Sequence, residues 1–294
     1  MLIVSATITG SREDEISDAI GSVAPHVDKV LIVDTGITDR TIARALEVAR
    51  DKLVIVKHAW KDFSAARNVS LDEAKKLGAD WIVIVDSDER FHWNGIDLRE
   101  ALSRTTSEVL YVESSDGHYP KEKIIRAVAA VRYVGPTHEV PLGGSRETLR
   151  GVTFSELSKT QAQLAHKFSR DAELLGDYVA EHPDDPRWWF YLGQSFEGLG
   201  KHARAAEAFG QCVTRRKYGD EAAWAAYKQA EQLHVLGRHE EAIAAAGRGL
   251  GASVFYGECA WTAVLVIRRP GAVRRCRRRV PAVRRRHRAR LCQR

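Results

Sequence analysis

An α/β domain on a mostly parallel, mixed sheet, followed by an all-α region of helical repeats, is the architecture that this sequence predicts. Three observations point to it. Over the first half, short β-branched runs alternate with longer segments whose apolar residues fall at helical spacing, the pattern of βαβ units. Beyond residue 165 these give way to Ala, Leu, Trp and Glu at helical spacing, and residues 189–250 repeat themselves. With 294 residues, 44% of them hydrophobic, the chain can bury two modest cores. The expected division is 1–165 for the α/β domain, 166–250 for the repeats and 251–294 for an irregular tail.

Residues 2–8, 29–34, 53–57 and 81–86 read as strands, and residues 13–23, 38–50 and 64–77 between them as helices. Residues 109–113 and 124–133 read as strands of a more mixed region. In such sheets ligands lie beyond the carboxyl ends of the strands, so chemistry is sought just after each one. In the second half, Trp189, Leu192, Gly193 and Phe196 open a tetratricopeptide-like pattern that Ala205 and Phe209 continue. Leu199-Gly200-Lys201-His202 recurs 37 residues later as Leu236-Gly237-Arg238-His239, and Ala205 recurs as Ala242. Such repeats usually run to about 34 residues, so the second unit carries a small insertion. His166, at the junction, reads as a capping or packing residue ahead of a cleft contact.

The net charge of +6 is unevenly placed. Residues 268–294 hold thirteen Arg and no acid; without them 32 Lys and Arg stand against 39 Asp and Glu, so the body is acidic by about seven charges. Three readings of the tail compete: a basic arm for nucleic acid or anionic lipid, a disordered tail, and out-of-frame translation of a GC-rich gene. The last two are favoured, and no nucleic-acid partner is expected. The four Cys contain no C-x-x-C pair, which speaks against a disulfide framework or zinc site and for a reducing cytoplasm. No stretch has signal-peptide or transmembrane character.

The most distinctive run is Trp81-Ile82-Val83-Ile84-Val85-Asp86-Ser87-Asp88-Glu89, a buried-type strand ending in carboxylates. If the extended conformation persists, Asp86 and Asp88 point to one side, and two such oxygens suit Mg2+ or Mn2+, which complete their shells with water and phosphate. Two further runs accompany it. In Val33-Asp34-Thr35-Gly36-Ile37-Thr38-Asp39, Asp34 can accept from a pyrimidine imide N–H, while Thr38 or Asp39 can cap the next helix. In Trp60-Lys61-Asp62-Phe63-Ser64-Ala65-Ala66-Arg67-Asn68, Ser64 is a candidate cap and Arg67 can stack on a base or meet phosphate.

With Thr137-His138-Glu139, these motifs stand in the order D-T-G-S-T-D, W-x-x-F-x-x-x-R-N, D-x-D-E, H-E. The chain thereby resembles the family 2 glycosyltransferases of GT-A fold, in the bacterial branch that carries tetratricopeptide repeats. The resemblance covers residues 1–250. It implies an inverting, metal-dependent hexosyl transfer from a nucleotide diphosphate sugar, UDP-linked in the first instance, to a saccharide or protein acceptor. It places Asp34 and Arg67 at the nucleotide base with Asp39 nearby, Asp86 at the ribose or sugar, and Asp88 on the Mn2+ or Mg2+ with His138 as a further contact. It makes Glu139 the base that takes the acceptor's proton. Ile37 replaces the family's serine, and Ser11-Arg12 replaces its first-loop Asn-Glu, so a catalytically weakened scaffold that binds a protein partner through its repeats is the alternative. Metalloprotease chemistry is excluded because H-E-x-x-H would need His where Leu142 stands; no G-x-G-x-x-G or P-loop motif follows any strand.

Overall fold

The computed structural model describes residues 1–216, 219–253, 257–259 and 262, in two compact units that divide after Ser158. The Arg-rich tail lies outside the described residues.

In the first unit, β1 (Ile3–Thr9), β2 (Lys29–Asp34), β3 (Leu53–Lys57) and β4 (Trp81–Ile84) are the runs of β-branched residues expected as strands. They pair in parallel in the order β3-β2-β1-β4. Helices α1 (Ile16–Val23), α2 (Thr41–Ala49) and α3 (Phe63–Lys76) connect them. After the short β5 (Glu89–Trp93) and α4 (Leu98–Arg104), the sheet continues through β6 (Val109–Ser114) and β7 (Pro120–Arg126). A small hairpin of β8 (Arg132–Val134) and β9 (Val140–Leu142) precedes the long β10 (Arg146–Glu156). The eight-stranded order is β3-β2-β1-β4-β7-β6-β10-β5, parallel among β1–β4 and between β6 and β10, and antiparallel elsewhere. The sheet buries apolar side chains on both faces. Ile3, Ile32 and Val83 face α1 and α2, and Val4, Leu31 and Ile82 belong to the opposite cluster with Leu71 of α3.

Several expectations are corrected. The strand expected at 124–133 is two strands, because β7 begins four residues earlier in charged sequence and ends at Arg126. Helix α3 is capped by Asp62, not Ser64: its Oδ1 accepts from the Ala65 amide at 2.7 Å and from the Ser64 hydroxyl at 2.9 Å. A boundary at 165 falls inside the next helix, which starts earlier because Thr160 and Gln163 form a reciprocal capping box.

The second unit is helical: α5 (Gln161–Glu181), α6 (Pro186–Gly198), α7 (His202–Arg215), α8 (Asp220–Val235) and α9 (His239–Ala252). His166 is exposed on α5. The repeated Leu-Gly segments are two copies of one turn. Gly200 and Gly237 take φ of 67° and 73°, the Lys201 amide bonds to Phe196 O, and the Arg238 amide bonds to Leu233 O, both at 2.9 Å. Each closes a Schellman motif. The insertion sits at the start of α8, which begins 34 residues after α6 but ends 37 after it. Packing also alternates between copies: Gly193 meets Phe209 in the first, and Ala230 and Ala246 hold the matching positions in the second. Cys212 and Cys259 are buried free thiols, and burial pushes Cys212 up to about 12 and Cys259 to about 11. Among the described residues no helix is long and apolar enough to cross a membrane.

A Cβ on Gly193 would lie 2.6 Å from Phe209 Cδ1. Gly193→Ala is therefore expected to destabilise the protein by about 1–3 kcal/mol through overpacking, in spite of alanine's better helix propensity. Phe209→Leu in the same chain should recover part of the loss. Urea unfolding reads both, and a Gly193→Ala midpoint equal to wild type would remove the steric account.

Candidate functional site

The carboxyl ends of β1–β4 point to one edge of the sheet, and the antiparallel strands begin there. Val83 pairs with Ile124, so Lys123 lies level with the last residue of β4 and Lys121 beyond its end. β5 starts and β10 finishes at the same edge, with Glu89 directly opposite Glu156. Like charges facing each other across a ladder repel. Lys121 answers this by donating to Glu89 Oε1 at 3.1 Å and to Glu156 Oε1. Burial opposes the charge on Lys121, but Glu89, Asp86 and Glu156 outweigh it and raise its pKa. Burial likewise pushes the Glu156 carboxyl up, and Lys121 with the Tyr119 hydroxyl brings it below its ordinary value.

Asp86-Ser87-Asp88-Glu89 is a tight turn, not an extended segment. The Glu89 amide bonds to Asp86 O at 3.0 Å, and the fully buried Glu89 side chain returns to the Asp86 amide at 3.0 Å. Arg90 donates to Ser87 O at 3.0 Å, and the Leu157 amide donates to Asp88 O at 2.8 Å. The expected alternation of Asp86 and Asp88 on an extended strand therefore does not hold, because the chain reverses between them. Asp86 Oδ1 accepts from Arg67 Nη2 and its Oδ2 from Lys123 Nζ at 3.2 Å. Burial would raise the Asp86 pKa, yet Arg67, Lys123 and Lys121 hold it well below the usual carboxylate range.

Arg67 joins this edge to Glu139. It is 5% exposed, and its Nε donates to Glu139 Oε1 at 3.3 Å. Burial disfavours its charge, but Asp86 and Glu139 more than restore it and shift its pKa upward. The resemblance places Arg67 at a nucleotide base; here its guanidinium is engaged by two carboxylates of the protein. Glu139 and His138 lie in the loop between β8 and β9, where His138 takes a φ of 51°, uncommon outside glycine. Three ties hold this segment to α3. The Phe63 amide bonds to Pro136 O at 3.0 Å, Asn68 exchanges two hydrogen bonds of 2.9 Å with the Tyr133 backbone, and Arg67 meets Glu139.

Asp34 Oδ1 accepts from the Gly36 and Ile37 amides at 2.9 and 2.7 Å, while Oδ2 has no hydrogen bond among the described residues. Asp39 latches two loops: Oδ1 accepts from the Thr41 amide at 2.9 Å and Oδ2 from the Glu13 amide at 3.2 Å. Desolvation pushes its pKa up, but these bonds and that from the Thr41 hydroxyl bring it below its ordinary value. Among the described residues no three His, Cys, Asp or Glu side chains group as a metal cage. Lys121, Lys123 and Glu156 were not foreseen. The alternation Lys121-Glu122-Lys123 placed two lysines on one strand face, a signal that was available.

No family model matches the chain. It is 21% identical over 237 residues to the SPbeta prophage-derived glycosyltransferase SunS of Bacillus subtilis (strain 168), which covers 74% of this chain and 55% of that protein. A TPR repeat-containing protein of Synechococcus elongatus is 36% identical over 131 residues, 41% of this chain and 30% of its own. The chain thus spans about half the length of SunS and less than a third of the cyanobacterial protein. Among solved structures, S. aureus TarS 1-349 aligns with 79% of this chain and 89% of its own, at 15% identity and a TM-score of 0.47. The chain is thus similar to a glycosyltransferase over most of its length, and it also has a relative that carries TPR repeats.

Asn68→Ala removes both bonds to Tyr133. A loss of about 1–3 kcal/mol is expected, with faster amide exchange concentrated in residues 133–139. Unchanged exchange there would show that Asn68 is not what fastens the loop.

Proposed function

We propose that the chain transfers a hexosyl group from a nucleoside diphosphate sugar to an acceptor hydroxyl or other nucleophile with inversion, as a family 2 glycosyltransferase. The observation that carries this reading is the gathering of Asp86, Asp88 and Glu139 at the carboxyl edge of the sheet or on the loop tied to it by Arg67, in a chain similar to SunS over 74% of its length.

In this reading Asp34 offers Oδ2 to the base of the nucleotide, and Asp39 keeps the loops around that base in place. Asp86, held ionised by Arg67 and Lys123, accepts from donor hydroxyls. The donor set suits a hard divalent cation: Asp86, Asp88, Glu89, Glu139 and Glu156 outnumber Arg67, Lys121 and Lys123 by two charges. Magnesium or manganese with few protein ligands draws the rest of its shell from water and phosphate. Asp88 would hold that cation, with His138 as a further contact, and the cation would supply charge neutralisation for the departing diphosphate. Glu139, oriented by Arg67, accepts the acceptor's proton as the nucleophile closes on the anomeric carbon, and the diphosphate leaves from the opposite face. The acceptor is a saccharide or a protein, and the buried free thiols suit a reducing cytoplasm.

Asp88→Ala should fold normally and lose manganese-dependent release of sugar from UDP-GlcNAc or UDP-glucose; turnover at the wild-type rate would remove Asp88 as the ligand. Glu139→Gln should lower kcat about 10²–10⁴-fold with donor affinity retained. If titration calorimetry found donor affinity lost instead, Glu139 would be a binding residue.

A further inference from the structure

Resting on the glycosyl-transfer reading, we propose that Arg67 is a positioning residue that fixes Glu139 relative to the donor-side carboxylate Asp86, and does not itself contact the donor. The Arg67 side chain is 6% exposed, so little of it is on offer to the cleft. The fork is divided between carboxylates from two segments, Nη2 on Asp86 and Nε on Glu139. Among the described residues the buried Nη1 has no hydrogen-bond partner, an arrangement that costs stability.

The two carboxylates depend on Arg67 unequally. Asp86 is also held by Lys123 Nζ, and its own amide is bonded to Glu89. Among the described residues Glu139 has Arg67 as its one side-chain partner. Loss of the guanidinium therefore leaves Asp86 paired and in place, and releases Glu139 within a loop that Phe63 and Asn68 still fasten through its backbone. The defect falls on the group that faces the acceptor. Lysine cannot substitute, because one ammonium on a single stem does not span two carboxylates as the planar fork does.

The test uses the full chain, donor binding by calorimetry with UDP-GlcNAc and UDP-glucose in manganese, and donor turnover at saturation. Arg67→Lys is expected to bind donor within about threefold of wild type and to lose about 100-fold in kcat. The Arg67→Lys, Glu139→Gln double variant is expected to be no slower than Glu139→Gln alone, since both changes remove the same placed carboxylate. If Arg67→Lys does not fold by thermal melt, Arg67→Gln, which keeps an amide donor, takes its place in the same comparison. A donor affinity that falls more than tenfold with kcat kept makes Arg67 a donor contact and overturns the inference. Losses that multiply in the double variant overturn it too. A wild-type chain that turns over no donor, or a Glu139→Gln variant as fast as wild type, overturns the underlying reading and the inference with it.

Discussion

A buried guanidinium shared by two carboxylates is the constraint on which the rest of the site depends. Desolvating an arginine and a carboxylate is costly, and the attraction between them offsets the cost only when geometry is good. Arg67 sits one helical turn beyond Phe63, so the two share a face of α3, and Asn68 follows directly. Each of the three reaches the 133–139 segment through a different group: a backbone amide, a guanidinium and a carboxamide. The spacing W-x-x-F-x-x-x-R-N thus reads as the imprint of one docking surface. A loop that would otherwise be mobile becomes fixed to a helix whose position the sheet sets.

Around this clamp the strand ends form a charge ladder. Glu89 and Glu156 oppose each other in register, and Lys121, bonded to both, offsets the repulsion on the buried Glu89 carboxylate. Lys123, 3% exposed, links Glu89 to Asp86 at 2.5 and 3.2 Å. The turn from Asp86 to Glu89 is accordingly held by side chains from β5, β7 and α3 and by the backbone following β10. A rigid turn is what a site needs if its carboxylates are to meet a ligand without reorganisation.

Much of the fold was legible because burial on both sheet faces makes β1, β2 and β4 nearly continuous apolar runs, and the edge strand β3 keeps the same β-branched character. Where charge entered the strands, legibility failed. Pro120-Lys121-Glu122-Lys123 opens β7 in polar sequence because its lysines serve Glu89 and Asp86, and β10 carries Gly151 and exposed polar residues through its middle. Functional edges break the apolar pattern from which strands are read. The same limit applies to the Asp86–Glu89 turn, whose reversal is set by Arg90 and by the Glu89 carboxylate, contacts that no local pattern encodes. In the helical unit the turns were legible as repeats, since a left-handed glycine after each helix leaves a fixed mark at Gly200 and Gly237.

Ile37 and Ser11-Arg12, the departures from the family pattern, lie in the loops that follow β2 and β1. Ile37 packs against the large core cluster, so apolar burial anchors the turn at this point. Ser11 accepts from the Thr38 amide at 2.9 Å, the Arg12 amide donates to Thr41 Oγ1 at 2.6 Å, and the Arg40 amide donates to Glu13 at 3.2 Å. With Asp39 bonded to the Glu13 amide, the loops after β1 and β2 are laced together along their length. Both loops are thereby held by groups of this chain's own. Asp34 consequently stands at the end of a braced strand with one oxygen committed to its own turn, a geometry that loosening of either loop would erase.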